Sequence, residues 1–117
     1  MFRNLRKQVL VIDFALCENG LAMRVISVRT LREFWSKHRD AETSLKHWIQ
    51  LTKSAAWKNS AEVRVTFRAA DTYKQFTIFN IGGNKYRLIA VVHFNTQRVY
   101  VRHILTHAEY DAGKWKK

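Results

Sequence analysis

The fold is decided by residues 76–105, which read FTIFNIGGNKYRLIAVVHFNTQRVYVRHIL. Aromatic and β-branched residues dominate this stretch, and turn-forming residues interrupt it twice, at 82–84 and at 95–97. Apolar runs of this length separated by glycine and asparagine are typical of antiparallel hairpins. The pattern predicts three strands, over 76–81, 86–94 and 99–105, joined as a meander.

The alternation of side chains along these strands predicts two different faces of a sheet. We expect Phe94 to lie opposite Val99, which puts Arg87 opposite Thr106. One face, predicted to be the core, then carries Leu88, Ala90, Val92, Phe94, Val99, Val101, His103 and Leu105. The other face mixes apolar and basic groups, namely Arg87, Ile89, Val91, His93, Tyr100, Arg102 and Ile104.

The preceding part of the chain predicts one strand followed by two helices. Residues 23–28 read as a short strand, and Thr30 with Glu33 has the spacing of a capping box that starts a helix ending near 38–39. Asp40 is the expected N-cap of a second helix, which completes an αα-hairpin. Residues 59–67 fit either a strand or a short helix capped by Asn59 or Ser60. The fold class is therefore α+β, with the helices on one side of a single sheet.

Length, charge and cysteine content narrow the class of protein. The chain has 117 residues, no proline and one cysteine, Cys17, so it fits one domain without an internal disulfide or a cysteine-rich zinc site. The formal charge of +12 favours a polyanionic partner such as nucleic acid, the ribosome, an acidic protein or an anionic membrane. No apolar run is long enough for a transmembrane helix.

Residues 1–22 differ from the rest of the chain. Arg3, Arg6 and Lys7 precede an apolar run, as in a signal peptide, but Asp13 interrupts that run and no favourable cleavage site follows. A cleaner pattern begins at Met23. We therefore interpret 1–22 as an N-terminal extension that is not native to the domain, and 23–117 as the domain itself.

Three segments together resemble the HigB toxin family, part of the RelE/ParE superfamily of small bacterial toxins. They are the block 79–89 (FNIGGNKYRLI), the strand 99–102 (VYVR) and the motif 106–111 (THAEYD), in the order and spacing of that family. The resemblance covers about 23–117 and implies a RelE-like fold. It also implies the toxin of a type II toxin–antitoxin system, an endoribonuclease that cleaves mRNA on the translating ribosome. The implied partner is a helix-turn-helix antitoxin, for which the basic charge predicts an acidic surface, and the implied location is the prokaryotic cytoplasm.

Four residues are candidates for the chemistry of RNA cleavage without a metal. Arg87, which matches the Tyr-Arg-Leu arginine of the superfamily, can stabilise charge on the phosphorane-like transition state. His107 can give or take a proton near neutral pH, and Tyr110 can orient RNA or stack on a base. Lys74 precedes the meander, where superfamily members carry catalytic lysines. The alternatives are an ion-paired Arg87, a surface or capping His107 and a packed Tyr110.

Further basic residues are candidate RNA contacts, namely Lys85, Arg102, Arg68 and Arg64. Only two carboxylates follow Asp71, so a two-metal nuclease is not expected. His93 and His103 fall on opposite sides of the predicted sheet, which argues against a histidine metal site, and no cofactor is expected. The tryptophans at 35, 48 and 57 are predicted to be core residues rather than platforms for bases.

Two other functions share these features. A ParE-like inhibitor of DNA gyrase would have the same fold, and a non-catalytic nucleic-acid-binding module would need only the charge. The combination of Arg87 with His107 favours the nuclease, because neither alternative needs a residue that transfers protons.

Overall fold

The computed structural model describes residues 23–116, so the predicted extension 1–22 and Cys17 lie outside the described residues. The helices are α1 (Val28–Lys37), α2 (Glu42–Ser54), α3 (Ser60–Thr66) and α4 (His107–Ala112), with 3₁₀ turns at Arg39–Ala41 and Lys114–Lys116. The strands are β1 (Arg24–Ile26), β2 (Asp71–Tyr73), β3 (Phe76–Ile81), β4 (Tyr86–His93) and β5 (Arg98–Thr106). None of the helices within this part of the chain is long and apolar enough to span a bilayer.

The five strands form one sheet in the order β1-β5-β4-β3-β2. β2 to β5 are antiparallel neighbours, whereas β1 pairs with β5 in parallel, from Arg24 opposite Arg98 to Ile26 opposite Tyr100. The predicted α+β class and the three-stranded meander are confirmed. The short strand β2 and the helices α3 and α4 add to the predicted order of elements. The helices are not all on one side of the sheet as expected, because Tyr110 of α4 packs with Ile89 in a cluster separate from that of α1–α3.

The sheet separates two apolar clusters. The larger cluster lies between α1–α3 and one face of the sheet, where Trp48 and Leu45 of α2 pack against Phe79 and Leu88 with almost no exposure. The smaller cluster lies on the opposite face, and its buried members are Phe76, Ile78, Ile89 and Trp115. We call these faces the helix side and the α4 side. Trp48 and Trp57 are buried as predicted, and Trp35 is partly buried against the larger cluster.

The predicted helix starts are corrected in two places. Thr30 lies inside the first turn of α1, which begins at Val28 after Ser27, so Thr30 and Glu33 form no capping box. Asp40 lies in the 3₁₀ turn before α2 and accepts hydrogen bonds from the side chains of Lys85 and Tyr86 instead of capping a helix. The ambiguous segment is helical, because the Asn59 side chain accepts a hydrogen bond from the backbone N–H of Glu62 and caps α3.

The register of β4 and β5 also differs from the prediction. Val92 lies opposite Val99, and Arg87 lies opposite Leu105 rather than Thr106. The ladder shifts between Ile89 and Ala90, which oppose His103 and Val101, so Arg102 is the extra residue of a β-bulge. An extra residue exchanges the faces beyond it. Ile104 therefore packs in the larger cluster, while His103 and Leu105 lie on the α4 side.

The β3–β4 hairpin is shaped by its glycines. Gly82 and Gly83 both have positive φ, +63° and +69°, a backbone conformation that residues with a Cβ rarely adopt. The turn brings Asn84 and Lys85 to the start of β4, immediately before Arg87. The hairpin therefore lies at the end of the sheet where β5 passes into α4.

Candidate functional site

Arg87 lies on β4 on the α4 side of the sheet and is only 9% exposed. Its Nη2 donates a hydrogen bond to Asn84 Oδ1 (2.8 Å), and its Nη1 donates to the backbone oxygens of Asn84 and Tyr86 (3.3 Å each). The Tyr110 ring lies 5.4 Å from the guanidinium carbon, within the range of a cation–π contact. All these partners are neutral.

No carboxylate forms an ion pair with Arg87 within the part of the chain that the structure describes. Removing an ion from water costs several kcal/mol unless an opposite charge compensates it. Because the partners of this buried guanidinium are all neutral, its positive charge is not compensated and can attract an anionic ligand. The paired-arginine alternative finds no acidic partner among residues 23–116.

His107 is the first residue of α4, at the same end of the sheet as Arg87. Its backbone N–H donates to the carbonyl of Lys85 (3.0 Å), which joins the start of α4 to the β3–β4 hairpin. Its Nδ1 lies 3.1 Å from Asp111 Oδ2, one helical turn further on, and its side chain is about half exposed. The contact places a carboxylate beside Nδ1, and it is an ion pair only when the imidazole is protonated.

The start of α4 is fixed by a capping box. The Thr106 hydroxyl accepts from the N–H of Glu109, and the Glu109 carboxylate accepts from the N–H of Thr106. Sequence reasoning missed this helix, although Thr106 and Glu109 have the same spacing as Thr30 and Glu33. That spacing is the signal that would have located α4 and the His107–Asp111 pair.

Tyr110 and Trp115 form the outer layer of the site. Their rings stack at 5.2 Å with an interplanar angle of 11°, and Trp115 Nε1 donates to the Tyr110 carbonyl. Trp115 is also buried against Tyr73 and Phe76. The side chain that faces Arg87 is therefore braced by the 3₁₀ turn at the end of the described chain, a role for Trp115 that the sequence pattern did not indicate.

The other candidate basic residues are dispersed. Lys74 lies in the turn between β2 and β3 with φ of +55°, and its Nζ is 5.5 Å from the Tyr73 ring. Phe76 next to that turn is four residues along β3 from the partner of Arg87, a distance of about 13 Å along the strand. Arg102 is exposed at the bulge, and Arg64 and Arg68 are exposed on and just after α3.

Lys85 is engaged at the surface near the site. Its Nζ lies 3.1 Å from Asp40 Oδ2, and the Tyr86 hydroxyl donates to Asp40 Oδ1 (2.7 Å). The pKa of Asp40 is lowered, first by the Tyr86 hydroxyl and then by Lys85. The pKa of Tyr86 is raised, first by its hydrogen bond to Asp40 and then by burial. This triad ties the turn before α2 to the start of β4.

A groove of about 380 Å³ opens on the α4 side beside the site. Leu105, which lies opposite Arg87 on β5, lines it together with His103, Glu109, Ala112, Lys114 and Trp115. Residues 23–116 contain no cluster of three or more His, Cys, Asp or Glu side chains arranged for a metal ion. The bulge puts His103 on the same face as His93, opposite to the prediction, but they are separated by four positions along β4.

Comparison with known proteins identifies the family of the chain. The profile of a RelE-like toxic component of a toxin–antitoxin system, the HigB toxin family, matches residues 41–113. The chain belongs to the HigB toxin family. The "mRNA interferase toxin HigB" of Escherichia coli K12 is 29% identical over 92 residues, covering 76% of this chain and 88% of that protein. The "mRNA interferase HigB" of E. coli O6:H1 is 30% identical over 92 residues, covering 76% and 89%. A relative with the same name in Shigella flexneri is 29% identical, covering 76% and 88%.

Proposed function

We propose that the chain is the toxin of a type II toxin–antitoxin system and an endoribonuclease that cleaves mRNA on the translating ribosome, without a metal or cofactor, in the prokaryotic cytoplasm. The family supports the role of toxin, and the relatives named mRNA interferases support the reaction. The observation that carries the proposal is Arg87, a nearly buried guanidinium whose partners are all neutral.

The reaction is attack of the RNA 2′-OH on the adjacent phosphate. The 2′-oxygen forms a bond to phosphorus, the bond to the 5′-oxygen breaks, and negative charge builds on the phosphate oxygens. Arg87 stabilises that charge, since a guanidinium stays protonated and offers paired donors to phosphate. Asn84 positions Arg87 because its Oδ1, in the β3–β4 turn, accepts a hydrogen bond from Nη2.

His107 is the proposed acid or base of this step. Asp111 faces Nδ1 and so orients the ring, which leaves Nε2 to exchange a proton with the 2′-OH or with the leaving 5′-oxygen. Tyr110, braced by Trp115, holds Arg87 and the RNA from the side. The groove beside Leu105 has room for a nucleotide next to the cleaved bond.

The remaining basic residues act as phosphate contacts at increasing distance from Arg87. Lys85 and Arg102 are exposed on either side of the β4–β5 pair, and Lys74 is exposed at the far end of β3. Such contacts raise affinity for RNA without selecting a sequence. The partner that holds the toxin inactive is proposed to be a helix-turn-helix antitoxin with an acidic surface, since the chain carries +12.

The experiment is to map the 5′ ends of cellular mRNAs after brief induction of the wild type, Arg87→Ala and Arg98→Ala. Arg98 is the matched control, because it is exposed and pairs with His93 at the other end of β4. We expect in-frame cuts in translated regions for the wild type and Arg98→Ala, and a loss of about 10²–10³-fold or more for Arg87→Ala. Full cleavage by Arg87→Ala, or intact mRNA with gyrase-linked DNA breaks, would contradict the proposal.

A further inference from the structure

A second cleft lies on the helix side of the sheet, at the edge of β3 that β2 leaves uncovered. Its volume is about 370 Å³. One wall comes from α2, one from the segment 66–70, and the floor from the last residues of β3. The lining residues are Ser44, His47, Trp48, Leu51, Thr66, Phe67, Arg68, Ala69, Ala70, Asn80, Ile81 and Gly82.

The backbone of Asn80 is open toward this cleft. β2 pairs with β3 only as far as Asp71 opposite Ile78. Tyr73 and Phe76 close a two-residue turn and form a hydrogen-bonded pair, so Ile78 and then Asn80 direct their N–H and C=O groups away from β4. Ala69 would be the next partner, but the described backbone bonds include none between Ala69 and Asn80. An open strand edge is a template for another strand.

The walls of the cleft combine apolar surface with positive charge. Leu51, Phe67 and Ile81 supply apolar side chains, while His47 and Arg68 supply the ionisable groups. No Asp or Glu lines the cleft. A strand edge beside apolar pockets provides backbone bonds for affinity and side-chain pockets for specificity, which is how an added peptide strand is recognised.

We propose that an extended, acidic segment of the antitoxin binds in this cleft as an additional strand beside β3; this rests on the antitoxin partner of the proposed function. Its backbone pairs with Asn80, alternate apolar side chains enter the cleft, and its carboxylates face Arg68 and His47. RNA fits the cleft less well. Of the two aromatic rings in its lining, Trp48 is only 1% exposed and Phe67 is partly buried, and the two rings pack against each other and against Phe79.

The position of the cleft gives this contact a defined role. Ile81 and Trp48 belong to the cluster on the helix side, whereas Arg87 lies on the α4 side. A segment bound in the cleft is separated from Arg87 by β3, although Asn80, with which the segment pairs, is the register partner of Arg87. The contact and the RNA chemistry therefore respond to different substitutions.

The first test compares Arg68→Glu with Arg64→Glu in the full chain, using the co-expressed antitoxin as the binding probe. Both arginines are exposed and four positions apart, but only Arg68 lines the cleft. We expect Arg68→Glu to raise the dissociation constant about 10-fold or more, and Arg64→Glu to change it about 3-fold or less. Equal effects of the two variants would overturn the proposal.

The second test measures amide hydrogen exchange at Asn80 in the free toxin and in the complex. We expect protection of this amide to increase about 100-fold on binding, because it gains a backbone acceptor. Unchanged exchange in a tight complex would overturn the proposal. RNA cleavage is measured on the same preparations: lower cleavage with unchanged antitoxin binding for Arg68→Glu would assign the cleft to RNA instead, whereas failure of the proposed function would show only in the Arg87→Ala comparison.

Discussion

Arg87 shows at the scale of one residue how the chain holds a charge in readiness for a ligand. The guanidinium is 9% exposed, and its hydrogen bonds go to Asn84 and to backbone oxygens. Neutral partners satisfy the donors geometrically but leave the charge uncompensated, which raises the attraction of a phosphate in a medium of low dielectric. The sequence indicated Arg87 through its place in the block 79–89. Asn84 could not be assigned, because its role depends on the turn formed by Gly82 and Gly83.

At the same scale, His107→Gln should remove proton transfer while leaving the fold intact. Glutamine keeps a polar side chain at an exposed first position of α4 but cannot exchange a proton near neutral pH. We expect single-turnover mRNA cleavage in a translation extract to fall by about 10²–10⁴-fold. Asp111→Asn should lower the rate less, since it alters only the group that faces Nδ1. A His107→Gln protein with unchanged cleavage would make this residue a surface histidine.

The Asp40–Tyr86 pair predicts a pH-dependent difference in stability between the wild type and Tyr86→Phe. The lowered pKa of Asp40 stabilises the fold above its unfolded value of 3.8, and this contribution is lost as pH falls through the folded pKa. The raised pKa of Tyr86 stabilises below its unfolded value of 10.0, and this contribution is lost as pH rises through the folded pKa. Urea unfolding should therefore give Tyr86→Phe a lower free energy of unfolding than the wild type at pH 7. This difference should shrink in acid and in strong alkali. A pH-independent gap would attribute the effect to packing of the ring against Phe34.

At the scale of elements, the sequence predicted strands better than their connections. The three strands of the meander were predicted close to their observed limits, because apolar runs between turn residues leave a clear pattern. The bulge at Arg102 leaves no such signal: VYVRHIL alternates plausibly in either register, and only the packing of Ile104 in the larger cluster decides. The capping-box spacing is likewise insufficient to locate the start of a helix. Thr30 and Glu33 match the motif, but the αL conformation of Ser27 starts α1 earlier, while Thr106 and Glu109 form a true box.

The C-terminal turn predicts a coupling between packing and chemistry. Trp115 is 5% exposed, stacks on Tyr110 and closes the cluster around Phe76. Trp115→Ala should lower the free energy of unfolding by about 3–5 kcal/mol. Trp115→Phe keeps an aromatic ring, so it should restore most of the stability and most of the cleavage rate. The urea midpoint measures the stability, and the cleavage rate per folded molecule measures the effect on the chemistry. Normal cleavage by folded Trp115→Ala would show that Tyr110 does not need the support of Trp115.

At the scale of the whole molecule, the sheet divides two tasks between its faces. The α4 side carries the guanidinium, the imidazole beside Asp111 and a groove next to them. The helix side carries the main core and the open edge of β3. Composition predicted a polyanionic partner but could not assign it to a face, since 17 Lys and Arg against seven Asp and Glu are spread over residues 23–116. Which residues lie on each face depends on the register of β4 and β5. That register is set by the β-bulge at Arg102, which the sequence pattern did not show.

This excess of positive charge predicts that association with an acidic antitoxin depends on salt. Exposed charges attract over distances that shrink as salt is added, to about 8–10 Å at physiological ionic strength, so screening should reduce the rate of encounter. In stopped-flow mixing of the full chain with the antitoxin, we expect the association rate constant to fall about 10-fold or more from 50 mM to 500 mM NaCl. The dissociation rate constant should change far less, because contacts at short range are screened little once water is excluded. An association rate constant that is the same at both salt concentrations would contradict electrostatic steering and would favour an interface formed mainly by apolar surface.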